Sequence, residues 1–203
     1  MGDASLLSVI ERRELRAAMR SSRMALSRRE RKHRADLAAG AFARSNLFRR
    51  SRAVAGYLAR QGETDPAPLL KRALAMHKQV YLPVLHALDG YHLWFAPYRP
   101  GDPLRPNRFG IPEPVCPLRR MRRAQDLDLI IVPLLAFDGL GQRLGMGGGF
   151  YDRTLAFRLR RRFWKHPRII GLAYSFQKVD VIPCRPWDVP LDGVVTECGA
   201  SLP

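Results

Sequence analysis

Leu127-Asp128-Leu129-Ile130-Ile131-Val132-Pro133 runs on into Phe137-Asp138-Gly139-Leu140-Gly141-Gln142-Arg143-Leu144-Gly145-Met146-Gly147-Gly148-Gly149-Phe150-Tyr151-Asp152, and the order of these two pieces decides the fold. A short apolar run rich in β-branched residues and closed by Pro reads as a buried strand. Six of the 16 glycines then fall between Gly139 and Gly149, and the segment from Tyr151 to Phe163 has helical character. Strand, glycine-rich loop and helix in that order make a cradle for an anion. Backbone N–H groups approach a phosphate closely where no Cβ intervenes, and the positive end of the helix favours negative charge there. Loops at the C-terminal ends of strands are also where α/β sheets bind ligands. The cradle is not a Walker A loop, because no Gly-Lys-Ser/Thr follows, and it misses the dinucleotide fingerprint, whose third glycine is replaced by Leu144. Arg143 offers the cationic fork that other phosphate loops take from Lys.

Outward from this centre the chain alternates strand and helix. Ala53 to Leu58, Gln79 to Val84, His92 to Ala96, Arg168 to Ala173 and Gly193 to Thr196 read as further strands, with a helix from Pro66 to His77. Two amphipathic helices open the chain, from Leu6 to Met24 and from Ser27 to Phe48. Ser27 serves as N-cap to the second, with Glu30 three residues on completing a capping box. Between Tyr98 and Arg123 the prolines 100, 103, 106, 112, 114 and 117 forbid helix or central strand and predict a long connection. The expected architecture is a single α/β domain over residues 1–203: three α/β/α layers around a mixed, mostly parallel sheet, Rossmann-like but without the dinucleotide fingerprint. Residues 1–50 are expected to pack on that core as N-terminal helices.

A chain of 203 residues, 46% hydrophobic and 26% charged, buries enough surface for a true core and is neither disordered nor collagen-like. The apolar stretch from Leu127 to Phe137 is shorter than the ~20 residues of a membrane span. With no basic region leading into an apolar run, the N-terminus does not read as a secretory signal, so a cytoplasmic protein without membrane association is expected. Cys116, Cys184 and Cys198 lie far apart and form no zinc-site or disulfide spacing. The net charge of +17 implies attraction to something anionic, whether nucleic acid, nucleotide or polyanionic metabolite, although most surface arginines read as a solvated face. Asp152, in the first turn after the cradle, suits a cap or a Mg²⁺ ligand beside a polyphosphate. Asp188, in Pro186-Trp187-Asp188-Val189-Pro190, reads alone as structural.

These residues together resemble the 5-formyltetrahydrofolate cyclo-ligase (methenyltetrahydrofolate synthetase) family over nearly the whole chain. The most specific blocks are Asp128 to Pro133 with Phe137-Asp138, Gly141 to Gly145, and Gly147 to Asp152. Supporting blocks are Arg12 to Arg16, Tyr57-Leu58 leading to Gly62-Glu63, Asn107-Arg108-Phe109-Gly110-Ile111-Pro112-Glu113-Pro114, and Trp187 to Asp192 with Thr196-Glu197. The resemblance implies ATP-driven cyclisation of 5-formyltetrahydrofolate to 5,10-methenyltetrahydrofolate with Mg²⁺, through phosphorylation of the formyl oxygen. It implies ATP contacts from Arg12, Arg16, Arg143, Leu144, Gly145, Met146, Gly147, Gly148, Gly149, Phe150 and Tyr151, with Arg143 and Tyr151 catalytic. It further implies Mg²⁺ on Asp152 and Asp188, and folate contacts from Leu58, Glu63 and Met146 to Phe150. In that scheme Glu63 is suited to accept hydrogen bonds from the pterin amino and ring N–H groups. Arg12 stands where the family usually has Lys, and Phe150 where it usually has Tyr, which removes a hydroxyl.

Two other readings stay open from the residues alone. A basic nucleic-acid-binding protein accounts for 14 basic against 5 acidic residues in positions 1–52 and for Arg160-Arg161-Arg162, but the chain carries no recognisable nucleic-acid module. Another ATP-dependent enzyme on the same scaffold accounts for the cradle. A monomer is expected, and the positive field suits folates carrying polyglutamate tails.

Overall fold

The computed structural model describes residues 3–86, 90–160 and 166–202, and for residues 3–10 the backbone only. In chain order the elements are α1 (Asp3–Ala25), α2 (Arg28–Ala43), α3 (Asn46–Arg50), β1 (Ala53–Ala55), α4 (Ala67–Ala75), β2 (Gln79–Leu85), β3 (Leu93–Pro97), β4 (Leu104–Pro106), β5 (Pro112–Pro114), β6 (Leu129–Pro133), β7 (Ala136–Phe137), β8 (Arg143–Leu144), α5 (Phe150–Leu155), α6 (Phe157–Arg160), β9 (Arg168–Leu172), β10 (Gly193–Thr196) and β11 (Gly199–Ser201). The main sheet has seven strands in the order β11-β10-β9-β6-β1-β2-β3. The pairs β10/β9, β9/β6, β6/β1 and β1/β2 are parallel, and only the edge strands β3 and β11 run antiparallel.

The period-two alternation of the strands divides the core into two layers. Val54, Val80, Leu82, Leu129, Ile131, Ile170 and Leu172 face α2 and α4, where Ala38, Ala39, Phe42, Leu69, Leu70 and Ala73 cover them. Ala55, Tyr81, Ile130, Val132 and Ile169 face the other way, toward Leu155 of α5 and Phe157 of α6. The central strands are buried on both faces, which is why they read as continuous apolar runs. Asp128 fixes the entry to β1: its Oδ2 accepts the N–H of Arg52 at 2.7 Å and of Ala53 at 2.8 Å.

The three-layer α/β/α arrangement and the mostly parallel sheet are as expected, with differences in detail. Ser27 accepts the N–H of Glu30 and Glu30 accepts that of Ser27, the reciprocal box foreseen for α2. The second helix stops at Ala43, however, because Ser45 caps a separate turn, α3, through the Phe48 N–H. The helix expected from Tyr151 to Phe163 divides at Ala156, whose N–H closes back on Arg153; residues 161–163 lie outside the described residues, as do two arginines of the Arg160-Arg161-Arg162 run. The proline-rich connection contains a two-stranded antiparallel ribbon, β4 with β5, separate from the main sheet and so tolerant of Pro.

No helix among the described residues is long and apolar enough to cross a membrane. The arginines are less superficial than expected. Arg12, Arg23 and Arg143 are buried, and Arg23 is fully so.

Candidate active site

The chain leaves β1 toward β2 on one side of the sheet and leaves β6 toward β9 on the other. The C-terminal ends of β1 and β6 therefore flank a topological switch point, where open α/β sheets form their binding crevice. Tyr57 to Glu63 follow β1, Leu134 to Asp152 follow β6, and Tyr174 follows β9. Helix α1 lies across these ends, with Leu15 and Met19 packed on Ala136, Leu144 and Ile182.

The glycine-rich segment is two structures. Its first half is the turn of the β7/β8 hairpin, organised by Asp138, whose Oδ1 accepts the N–H of Leu140 and of Gln142, each at 2.9 Å, while Oδ2 accepts that of Ile182 at 3.0 Å. Gly139 and Gly141 thus belong to a hairpin turn, apart from the anion loop. Gly141 has φ +80°, and a Cβ there would stand 2.8 Å from the Leu191 carbonyl oxygen. Gly141→Ala is expected to destabilise the fold by roughly 2 kcal/mol or more, because left-handed backbone strain adds to a backbone clash. A thermal melt should show Tm lower by about 4–8 °C.

The second half, Gly145 to Gly149, is the open loop leading into α5, with Gly149 left-handed at φ 65° as N-cap. α5 is a single short turn and a half, so the anion-favouring field comes mainly from side chains. Arg16 of α1 donates Nε–H to the Gly145 carbonyl at 3.0 Å. Burial and the neighbouring charges of Arg12, Arg185 and Arg20 lower its pKa, which marks a dense electropositive cluster at the loop. Met146, Gly147 and Gly148 are exposed along this loop. Leu144 is fully buried with Ala136 and Ile182, and its carbonyl accepts the Leu135 N–H. Its side chain therefore belongs to the core, and any part it takes in the loop falls to its backbone.

Arg143 departs from the free fork expected of it. Its Nη1–H donates to the Val189 carbonyl and its Nη2–H to Asp152 Oδ1 at 2.5 Å, with only 5% of the side chain exposed. It is a clamp between the start of α5 and the Pro186–Pro190 segment. Asp152 also accepts the N–H of Val189 at 3.2 Å, which brings it beside Asp188. Asp188 Oδ2 accepts from Arg12 Nη1 at 3.1 Å and from the Arg185 N–H at 3.0 Å. Sequence-distant as they are, the two carboxylates flank one loop.

Among the described residues no group of three or more His, Cys, Asp or Glu side chains is placed to hold a metal. The donor set on offer would be two carboxylates, with Asp152 Oδ2 and Asp188 Oδ1 outside the hydrogen bonds just named. That fits Mg²⁺, which takes one or two carboxylates and completes its octahedron with water and phosphate oxygens.

On the other side of the crevice stands Glu63. Gln61 (φ 47°) and Gly62 (φ 74°) make a left-handed turn before it, and Glu63 Oε2 accepts the Arg60 N–H at 2.9 Å. Burial raises the Glu63 pKa, while Arg60's N–H and the Arg23 and Arg60 charges pull it down. Tyr151 is close enough to feel both Glu63 and Arg143; burial first, then the Glu63 charge, pushes its phenol pKa up. Leu58 packs at the edge of the core below. Phe150, which carries no hydroxyl, meets Phe109 edge-on at 5.7 Å, so the β4/β5 ribbon reaches the anion loop.

The structure therefore brings Arg12, Arg16, Arg143, Asp152 and Asp188 to one side and Glu63 with Tyr151 to the other, joined by Met146 to Phe150. Sequence reasoning missed Arg185 and Arg23. Arg185 was findable, three residues before Asp188 in a Pro-flanked loop. Arg23 left no signal, since nothing in a basic helix marks which arginine turns inward.

The model of the 5-formyltetrahydrofolate cyclo-ligase family matches residues 9–197. The chain is 44% identical over 145 residues to the 5-formyltetrahydrofolate cyclo-ligase of Escherichia coli (strain K12), covering 70% of this chain and 76% of that protein. It is 32% identical over 186 residues to that of Mycolicibacterium smegmatis, covering 90% and 92%. Among solved structures, Aquifex aeolicus 5,10-methenyltetrahydrofolate synthetase superposes with a TM-score of 0.76 at 34% identity, over 93% of this chain and 91% of that one. With the match spanning both sides of the crevice, the chain belongs to the 5-formyltetrahydrofolate cyclo-ligase family and is an enzyme of that family.

Proposed function

We propose that the enzyme cyclises 5-formyltetrahydrofolate to 5,10-methenyltetrahydrofolate at the expense of ATP, releasing ADP and phosphate. The observation that supports this reading is the two-sided crevice: guanidinium groups, a glycine loop and paired carboxylates on one side, a half-buried carboxylate and a phenol on the other. The first set suits a polyphosphate and the second a heterocycle rich in N–H donors.

In this reading the ATP phosphates lie along Gly145 to Gly149 against Arg12 and Arg16, with Arg185 adding charge. Asp152 and Asp188 would hold Mg²⁺, and the ion would supply positive charge to offset that of the phosphates. Glu63 accepts the pterin N–H groups, and Leu58 lies against the ring. The formyl oxygen attacks the γ-phosphorus as the bond to ADP breaks, giving an imidate phosphate on N5. N10 then attacks the formyl carbon and loses its proton; the carbon–oxygen bond breaks, and phosphate leaves. No protein nucleophile is required, so catalysis rests on positioning and charge. Tyr151, whose raised pKa keeps it protonated, donates its O–H to the formyl oxygen and orients it. Arg143 acts by clamping Asp152 in place.

The test is absorbance at the methenyltetrahydrofolate band after mixing enzyme, Mg²⁺ and 5-formyltetrahydrofolate, with and without ATP. An ATP-dependent rise matched by ADP supports the reading. Binding of ATP without a rise would transfer the site to another acceptor.

Glu63 also gives a pH expectation. Its folded pKa lies above the ordinary 4.5, so the folded state holds this proton more tightly than the unfolded chain. Its contribution to stability therefore falls as pH rises from 4.5 through the raised value. Folate binding needs the ionised form, so kcat/KM for folate should fall as pH drops through that raised pKa. Glu63→Gln should abolish this acidic limb. An unchanged limb in that variant would separate Glu63 from the substrate.

A further inference from the structure

Among the described residues Arg23 is the largest fully buried side chain, and it makes no salt bridge with any of them. A buried guanidinium without a carboxylate partner opposes folding, and an apolar side chain of similar volume would serve stability better. Its contacts lie at the switch point. Nη1–H donates to the Leu134 carbonyl just beyond β6 at 3.4 Å, and Nη2–H donates to the Gln61 carbonyl beyond β1 at 3.1 Å. The backbone closes from the same residue, because a Cβ on Gly62 would stand 3.0 Å from the Arg23 carbonyl oxygen. Leu134 is itself fixed, its carbonyl also taken by Gln177 Nε2 at 2.9 Å.

The other carbonyls of the turn are held in the same way. Tyr174 donates its hydroxyl to the Glu63 carbonyl at 3.4 Å, and Tyr57 donates to that of Thr64 at 2.6 Å. Buried side chains from α1, from beyond β9 and from beyond β1 thus grip Gln61, Glu63 and Thr64 from beneath. The Glu63 carboxylate stays half-buried above them, its Oε2 accepting the Arg60 N–H at 2.9 Å. Gln61 at φ 47° is a non-glycine residue in left-handed backbone, which persists only where its surroundings impose it.

We propose that Arg23 is the positioning residue of the substrate-binding carboxylate, Glu63: braced on Leu134, it holds the Gln61 carbonyl and fixes the left-handed turn that aims Glu63 into the crevice, with Tyr174 and Tyr57 as lesser braces. This rests on the reading of Glu63 as the folate acceptor. Because α1 also carries Arg12 and Arg16, one helix sets both the nucleotide side and the folate side. The Arg23 charge also counters the effect of burial on Glu63, keeping it available as an anion.

The test is steady-state kinetics of Arg23→Met, Arg23→Lys, Tyr174→Phe, Glu63→Gln and the double variant Arg23→Met/Glu63→Gln, with folding checked by near-UV circular dichroism. Arg23→Met is expected to raise KM for folate about tenfold or more while leaving KM for ATP within twofold, and to move the acidic limb of kcat/KM to higher pH. Lys should recover part of the loss, and Tyr174→Phe should move KM for folate in the same direction by less. The double variant should be no worse than Glu63→Gln alone, as expected of residues acting through one another. If Glu63→Gln impairs folate binding but Arg23→Met leaves it unchanged, or if the two losses multiply, Arg23 does not act through Glu63. If Glu63→Gln itself leaves KM for folate unchanged, the reading of Glu63 fails instead. Should Arg23→Met not fold, Tyr174→Phe decides: an unchanged KM for folate overturns the bracing of the turn.

Discussion

Replacing Arg143 by Met is expected to lower kcat/KM by about 100-fold or more, with most of the loss in kcat at saturating ATP. The guanidinium is almost sealed from water and bridges Asp152 Oδ1 at 2.5 Å and the Val189 carbonyl. With the bridge gone, Asp152 and the Pro186–Pro190 loop lose their common anchor, and a shift of about an ångström at the proposed phosphoryl-transfer centre would cost about two orders of magnitude. Breaking a buried pair from one side also destabilises, by about 3 kcal/mol here, toward the low end of the usual range because Asp152 is still 27% exposed and can be rehydrated. Arg143→Lys keeps the charge but cannot span both acceptors with a planar fork, so it should recover only part of the activity. If Arg143→Met raised only KM for ATP and left kcat intact, Arg143 would be a simple phosphate contact.

Asp188→Asn should raise the Mg²⁺ requirement, lowering activity about 100-fold at limiting metal with partial recovery at high Mg²⁺. The substitution keeps the side chain's shape and its acceptance of the Arg185 N–H, so the loop should hold. What it removes is the charge that faces Arg12 at 3.1 Å and that, in the proposed reading, would complete a two-carboxylate donor set with Asp152. A titration of rate against Mg²⁺ separates the outcomes. A curve identical to that of the parent enzyme would leave Asp188 as a partner of Arg12 only.

Much of the fold is legible because its central strands are apolar on both faces and end in Pro, Gly or Asp. Leu129 to Pro133 and Gly193 to Thr196 are visible for that reason, and the Ser27 to Glu30 spacing announces the start of α2. The β7/β8 hairpin is not legible, since strands of two residues carry no periodicity and their turn shares its glycines with the loop beyond. The β4/β5 ribbon is hidden by prolines that argue against strands in general but not against a separate two-stranded edge. At the site, the residue types alone point to the glycine loop, Arg143 and Asp152, whereas Arg12, Arg16, Glu63 and the pairing of Asp188 with Asp152 are expected only through the family resemblance. What they do not convey is whether an arginine faces a ligand or a carbonyl, a matter of long-range packing. Arg143 and Arg23 both turn inward, so part of the charge excess that invites a nucleic-acid reading is spent on internal bracing.

The claim on which the rest depends is that the formyl oxygen is phosphorylated. Turnover of 5-formyltetrahydrofolate carrying ¹⁸O in the formyl group, with unlabelled ATP and water, tests it directly. Recovery of the label in inorganic phosphate, one atom for each methenyltetrahydrofolate formed, is the expected result. Unlabelled phosphate alongside the same product would mean that the oxygen leaves by another route and would contradict the assignment of the crevice to phosphoryl transfer onto folate.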